Sequence, residues 1–222
     1  MTLREHADFE NGRSILTQEF RLIATGIDTE PYLKQLAANP QLFGSRDFRT
    51  VPRYGGELSP HRDSRDIWVR HQDYKGMEGY DLPGSEAMLH PAISSWYPES
   101  LKLPAAKDMA QLVCGILGAI QMGGHYVIKI PPGKKVHPHK DFSWHSTYYN
   151  KYMVNLKTQS GVVFGWTDSG NLIAETGDLW NFENAGTHWV TNDSDEDVLI
   201  ATFSVRTFDM DRLEAYNQLT EK

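Results

Sequence analysis

The stretch IPPGKKVHPHKDFSWH, residues 130–145, gathers three of the chain's nine histidines, His137, His139 and His145, around one aspartate, Asp141. Imidazole nitrogen and carboxylate oxygen are ligands that proteins offer to iron and zinc. His139 and Asp141 stand two apart, and on a strand such positions point to the same face. Two histidines and one carboxylate on one face, with coordination positions left open, make the facial triad of non-haem Fe(II) oxygenases; a purely structural site closes its shell with a fourth ligand. The third ligand must come from farther along the chain. A second His-x-Asp, His61 and Asp63 in SPHRDSRD, lies in an irregular region with no strand on its N-terminal side and ranks behind the first.

The elements that position these residues are legible from turn chemistry and alternation. After residue 125 come HYVIKI, YMVNLK, GVVFGW, NLIAE, DLWNF, HWVTN and DVLIATFSVRTF, short β-branched and aromatic runs. Pro131-Pro132-Gly133, the 168–171 turn and the 194–197 turn separate them. Closely spaced short strands predict a β-sandwich or barrel, here a cupin-type jelly roll. Residues 1–43 read as helical, with Asp28 or Thr29 as N-cap, Pro31 in the first turn, and Asn39-Pro40 as the break. Residues 44–100 are irregular apart from a strand at 66–70. Met109, Leu112, Val113, Ile116, Leu117 and Ile120 recur at helical spacing, predicting a helix from 104 that Gly123-Gly124 ends. The expected organisation is one domain over 1–222: a helical and irregular part, 1–124, whose helices pack on one face of a β-helix core, 125–208.

The 222 residues carry a net charge of −7, with no Lys/Arg stripe for phosphate, which argues against nucleic acid as a partner. No long apolar run fits a membrane span and no apolar signal core opens the chain, so a cytoplasmic location is expected. The single cysteine, Cys114, excludes a disulfide framework.

GDLWNFENAGTHWVTN, residues 177–192, resembles the second cupin motif, with Gly177, His188 and Asn192 in register and Glu183 and Ala185 where the motif has Pro and Gly. This makes His188 the best candidate for the distal ligand. In order, IPPGKKVHPHKD, YMVNLK, GDLWNF and HWVTNDSDEDVLIATF resemble the aspartyl/asparaginyl β-hydroxylase-like branch of the Fe(II)/2-oxoglutarate dioxygenases, which includes small bacterial proline hydroxylases. The resemblance covers 126–205. It implies a double-stranded β-helix with His139, Asp141 and His188 as Fe(II) ligands, 2-oxoglutarate as cosubstrate, dioxygen as oxidant, and an amino-acid side chain, free or in a peptide or protein, as substrate.

Two positions depart from the family. The usual arginine ten residues after the distal histidine is Val198, and the usual Arg-x-His pair is Met153-x-Asn155. Lys151, Met153 and Asn155 share a strand face, so Lys151 is favoured as the cation for the cosubstrate's far carboxylate, ahead of Arg206, with Asn155 as an orienting group. His61 and Arg70 are expected at the substrate mouth. Trp144, Tyr148 and Tyr149 are placed to cover a substrate, Trp180 and Phe182 to fill the core. A cupin-type zinc enzyme without 2-oxoglutarate, with His137 as an extra ligand, is the alternative, and a non-catalytic β-roll a third reading. Neither HExxH, P-loop nor nucleophile elbow is present.

Overall fold

The computed structural model describes residues 9–10, 13–14, 20–45, 59–72, 94–141, 149–167, 170–182 and 186–207. Two short strands, β1 (Phe9–Glu10) and β2 (Arg13–Ser14), pair with each other. There follow β3 (Phe20–Ala24), α1 (Glu30–Ala38), β4 (Arg65–Gln72), β5 (Ser94–Trp96) and α2 (Pro104–Leu117). Eight strands complete the order: β6 (Ala119–Ile130), β7 (Lys135–His139), β8 (Asn150–Lys157), β9 (Val162–Trp166), β10 (Gly170–Leu172), β11 (Leu179–Phe182), β12 (His188–Asn192) and β13 (Val198–Thr207).

Strands β3 to β13 form two facing antiparallel sheets, ordered β10-β9-β12-β7 and β3-β11-β8-β13-β6-β4-β5. That interleaving is the double-stranded β-helix, and the expected fold is borne out. The larger sheet is buried on both faces, which explains why its strands read as nearly continuous apolar runs. On β13, Ala201, Phe203 and Val205 pack outward against the helices, while Val198 and Ile200 point between the sheets. On β8, Val154 and Leu156 face the helices and Met153 faces inward. Trp68, Tyr126, Ile128, Val136, Phe164 and Trp166 join the inner core.

Three boundaries differ from the sequence reading. Among the described residues of 1–43 the α-helix covers 30–38, with a short 3-10 turn at Pro40–Leu42; Phe20–Ala24 is instead an edge strand on β11. At the start of α1 the cap residue is Thr29, but Asp28 Oδ1 takes the Glu30 N–H, at 3.0 Å. Strands β3, β4 and β5 extend the larger sheet, so the part before residue 125 is not merely helical and irregular. The second helix ends at Leu117, because Gly118 adopts the left-handed conformation at φ 60°. Ile120 therefore lies in β6 and is 59 % exposed, and Leu112 is 44 % exposed. The buried stripe of α2 is Ala106, Met109, Ala110 and Val113. Gly123 and Gly124 lie inside β6, where a Cβ would come within 2.7 Å of the Tyr149 and His71 rings respectively.

Turns fix the strands in register. Gly133 N–H donates to Asn192 O at 2.8 Å. The buried Asn192 amide donates to Ile130 O and Glu196 O, both at 2.8 Å, and tethers both ends of the β6–β7 and β12–β13 connections. Gly177, at φ 85°, brings its carbonyl to Ile27 N–H, and a Cβ there would lie 2.8 Å from Ile27 O.

Candidate metal centre

A cleft opens between the sheets. Its apolar wall includes Ile128, Val136, Met153, Phe164, Trp166 and Phe182. His139, Asp141 and His188 share its polar side with His61, Tyr126 and Thr202. One potential ligand atom from each of the first three lies within 4.8 Å of the others. The His139 and His188 ring centroids are 4.3 Å apart, and His139 Nε2 is 3.7 Å from Asp141 Oδ1.

Local backbone chemistry arranges these donors. His188 faces His139 across the β12–β7 pair, but Val190 faces Val136. Two residues on β7, His137 and Pro138, thus oppose one on β12, Trp189, which makes a bulge. Such a bulge re-aims the side chain that follows it, and Pro138 has no N–H to lose there. Val136 points into the core; the bulge turns His139 to that same side. Asp141 lies beyond the end of β7, so the two ligands converge through bulge and turn, and not through simple strand alternation as expected. Each imidazole is pinned in the same manner. His139 Nδ1–H donates to His137 O at 2.8 Å, and His188 Nδ1–H to Gly186 O at 3.0 Å. A neutral imidazole with Nδ1 donating keeps its lone pair on Nε2. Both free lone pairs therefore belong to Nε2.

Beside the cleft stands Lys151, 6 % exposed. Its ammonium donates to Ser204 Oγ at 2.8 Å and approaches the hydroxyl of the cleft-lining Tyr126 at 3.5 Å. Among the described residues no carboxylate pairs with it. Asn155, on the same strand face, is 0 % exposed, and among the described residues neither end of its amide has a partner. Val198 is buried in the inner core, without any polar role. Arg206 sits near the far end of β13, opposite Gln121, and is not part of the cleft wall.

The neighbours sort differently from the sequence reading. His61 lines the cleft, its ring edge-on to His139 at 4.9 Å between centroids. Arg70 does not: a bulge between Trp68 and Arg70 turns it away, over the Trp96 ring and toward Met122 O. Phe182, expected in the core, lies in the cleft wall, edge-on to His188. Trp180 is core, as expected. Tyr149 packs on Gly123 rather than on the cleft wall, while Trp144, His145 and Tyr148 lie outside the described residues. His137 donates Nε2–H to Asp63 Oδ2 at 2.8 Å, and its Nδ1 accepts from Arg62 at 2.9 Å. That hydrogen bond holds the Asp63 carboxyl below the usual range. With both ring nitrogens engaged, His137 is not an extra ligand. Tyr126, Thr202 and Ser204 were missed; their alternation with Val127, Ala201 and Phe203 along β6 and β13 was the available signal.

The sequence matches no protein-family model and no curated protein. Solved structures do resemble the chain. A prolyl hydroxylase from Trichoplax adhaerens, in complex with a hypoxia inducible factor oxygen degradation domain peptide fragment, aligns with 85 % of this chain and 84 % of its own at 16 % identity and a TM-score of 0.50. A Pseudomonas putida prolyl-4-hydroxylase aligns with 85 % of this chain and 92 % of its own, at 15 % identity and a TM-score of 0.46. The likeness to the Trichoplax structure is one of fold. No helix among the described residues is long and apolar enough to cross a membrane.

Proposed function

We propose that this chain is a non-haem Fe(II) and 2-oxoglutarate-dependent oxygenase that hydroxylates an amino-acid side chain. His139, Asp141 and His188 would hold the metal. The donor set fits: two Nε2 lone pairs and one carboxylate converge, each imidazole is oriented by a backbone carbonyl, and among the described residues no fourth protein ligand joins them. When bound, Fe(II) with 2-oxoglutarate and dioxygen supplies the oxidising power to hydroxylate a C–H bond.

The observation that carries this reading over a metal site without an oxoacid is Lys151. Buried charges are ordinarily paired. An ammonium this deep, bonded among the described residues to hydroxyls alone and one tyrosine away from the cleft, is suited to receive an anion. Lys151 takes the far carboxylate of 2-oxoglutarate, with Ser204 and Tyr126 fixing its ammonium. Asn155 offers its unpartnered amide from the same face to orient the cosubstrate or an ordered water. The aromatic walls exclude bulk water. His61, Phe182 and Trp166 line the cleft where the substrate would sit, an amino-acid side chain of the Asp, Asn or Pro type, either free or in a peptide or protein.

The zinc alternative offered His137 as an additional ligand, but its ring is committed to Asp63 and Arg62. Incubation with Fe(II), ascorbate and labelled 2-oxoglutarate should release succinate, and His139→Ala and His188→Ala should abolish it. Tight zinc binding without any binding of 2-oxoglutarate would overturn the proposal.

A further inference from the structure

The second His-x-Asp segment, residues 59–63, joins no cluster of three metal-capable side chains among the described residues, yet it is bound to the strand that carries His139. Pro60 O accepts the His137 N–H at 2.8 Å. Asp63 Oδ2 accepts His137 Nε2–H at 2.8 Å, and the Arg62 guanidinium donates to Nδ1 at 2.9 Å. Arg62 is itself tied to Ser59 O at 3.1 Å. The guanidinium is always a donor, so it selects the neutral His137 tautomer with hydrogen on Nε2, the one Asp63 can accept. Three polar atoms of His137 are thus gripped by one segment. The fourth, its carbonyl oxygen, receives His139 Nδ1–H. This grip falls on the bulge that aims His139 into the cleft, where the strand lacks regular pairing to hold it. The same segment sets the His61 ring against the edge of His139.

We propose that residues 59–63 form a positioning clamp, in which Asp63 and Arg62 act through His137 to fix the orientation of His139. The clamp rests on the metal-site part of the oxygenase reading, but not on the cosubstrate. Partners that orient a metal-bound histidine from behind commonly matter by about 10–100-fold in metal affinity. The same range is expected for Asp63→Ala. In Asp63→Asn the amide oxygen still accepts Nε2–H, so affinity should stay near that of the unaltered protein.

The test is a Co(II) titration of the full chain, followed by its visible absorption, with the hyperfine-shifted N–H proton signals of the Co(II) form recorded by NMR. The unaltered protein should show two such imidazole signals, from His139 and His188. Asp63→Ala should bind Co(II) about 10–100-fold more weakly and lose the His139 signal to exchange while keeping that of His188. Arg62→Met provides the same test if Asp63→Ala does not fold. Unchanged affinity and two unchanged signals in a folded variant overturn the clamp. Failure of the unaltered protein to bind Co(II) overturns the metal site itself, and the clamp with it.

Discussion

Replacing Lys151 with methionine should move ligand affinity and stability in opposite directions. The lysine is 6 % exposed, and among the described residues it donates to neutral oxygens only, Ser204 Oγ and Tyr126 OH. Without ligand, its charge is an unrepaid desolvation cost. Replacing a buried ion pair with well-packed apolar groups of similar volume is often neutral or stabilising by about 1–4 kcal/mol, and removing a buried charge that has no counter-charge among the described residues acts in the same direction. Methionine matches the stem, loses the charge and leaves two hydroxyls that can bond each other or water. A gain of about 1–2 kcal/mol allows for those hydroxyls. In a chain of this size it raises Tm by about 2–8 °C. With 2-oxoglutarate the sign reverses. A hydrogen bond to a charged group is worth about 1.5–3 kcal/mol, so losing it weakens 2-oxoglutarate binding by about 10–150-fold. Thermal melts of the metal-loaded protein, with and without 2-oxoglutarate, measure both. The variant should melt higher when free of the cosubstrate and gain less from it. An unchanged 2-oxoglutarate Kd, or a lowered melting temperature without ligand, refutes the assignment.

Two further predictions concern the frame. His125 is fully buried, with Nδ1–H donating to Thr202 O and Nε2 accepting from Tyr32 O–H; burial pushes its pKa down to about 4 from 6.5. The unfolded chain takes up a proton there that the fold refuses, so this contribution is complete above pH 6.5 and is lost as pH falls toward 4, at about 1.4 kcal/mol per pH unit. Urea unfolding between pH 7 and 5 should show this slope, and His125→Gln should flatten it. Asn192→Ala removes the amide donors to Ile130 O and Glu196 O and should destabilise by about 1–3 kcal/mol in urea unfolding; Asn192→Asp, with no N–H to donate, should not restore it.

The strands of the β-helix were legible because both faces of the larger sheet are apolar and turn residues punctuate them. His139, Asp141 and His188 were legible as chemistry, since few roles bring that set together in that order. Their mode of convergence was not. A bulge depends on which N–H finds which carbonyl across β7 and β12, and the sequence does not encode that pairing visibly beyond Pro138. The α2–β6 junction was misread for a related reason: the run from Met109 to Ile120 satisfies helical spacing and strand preference alike, and only the left-handed Gly118 decides. Lys151 was placed on the correct face by alternation. That its described neighbours include no counter-charge depends on β13 and β6 supplying Ser204 and Tyr126 instead of a carboxylate.

The position of β13 in the sheet order has a consequence for how the protein is made. It lies between β8 and β6, yet it is the last of the described strands to be synthesised, and His125 and Thr202, which it brings together, stand 77 residues apart. On the ribosome, β6 and β8 emerge with their central partner missing and with apolar surface on both faces. Assembly of the sheet must wait for residues 198–207. Pairing at such sequence separation is slow, and the waiting intermediates are the forms exposed to aggregation. Nascent chains stalled before Val198 should therefore engage chaperones, and release from them should track the arrival of this one strand.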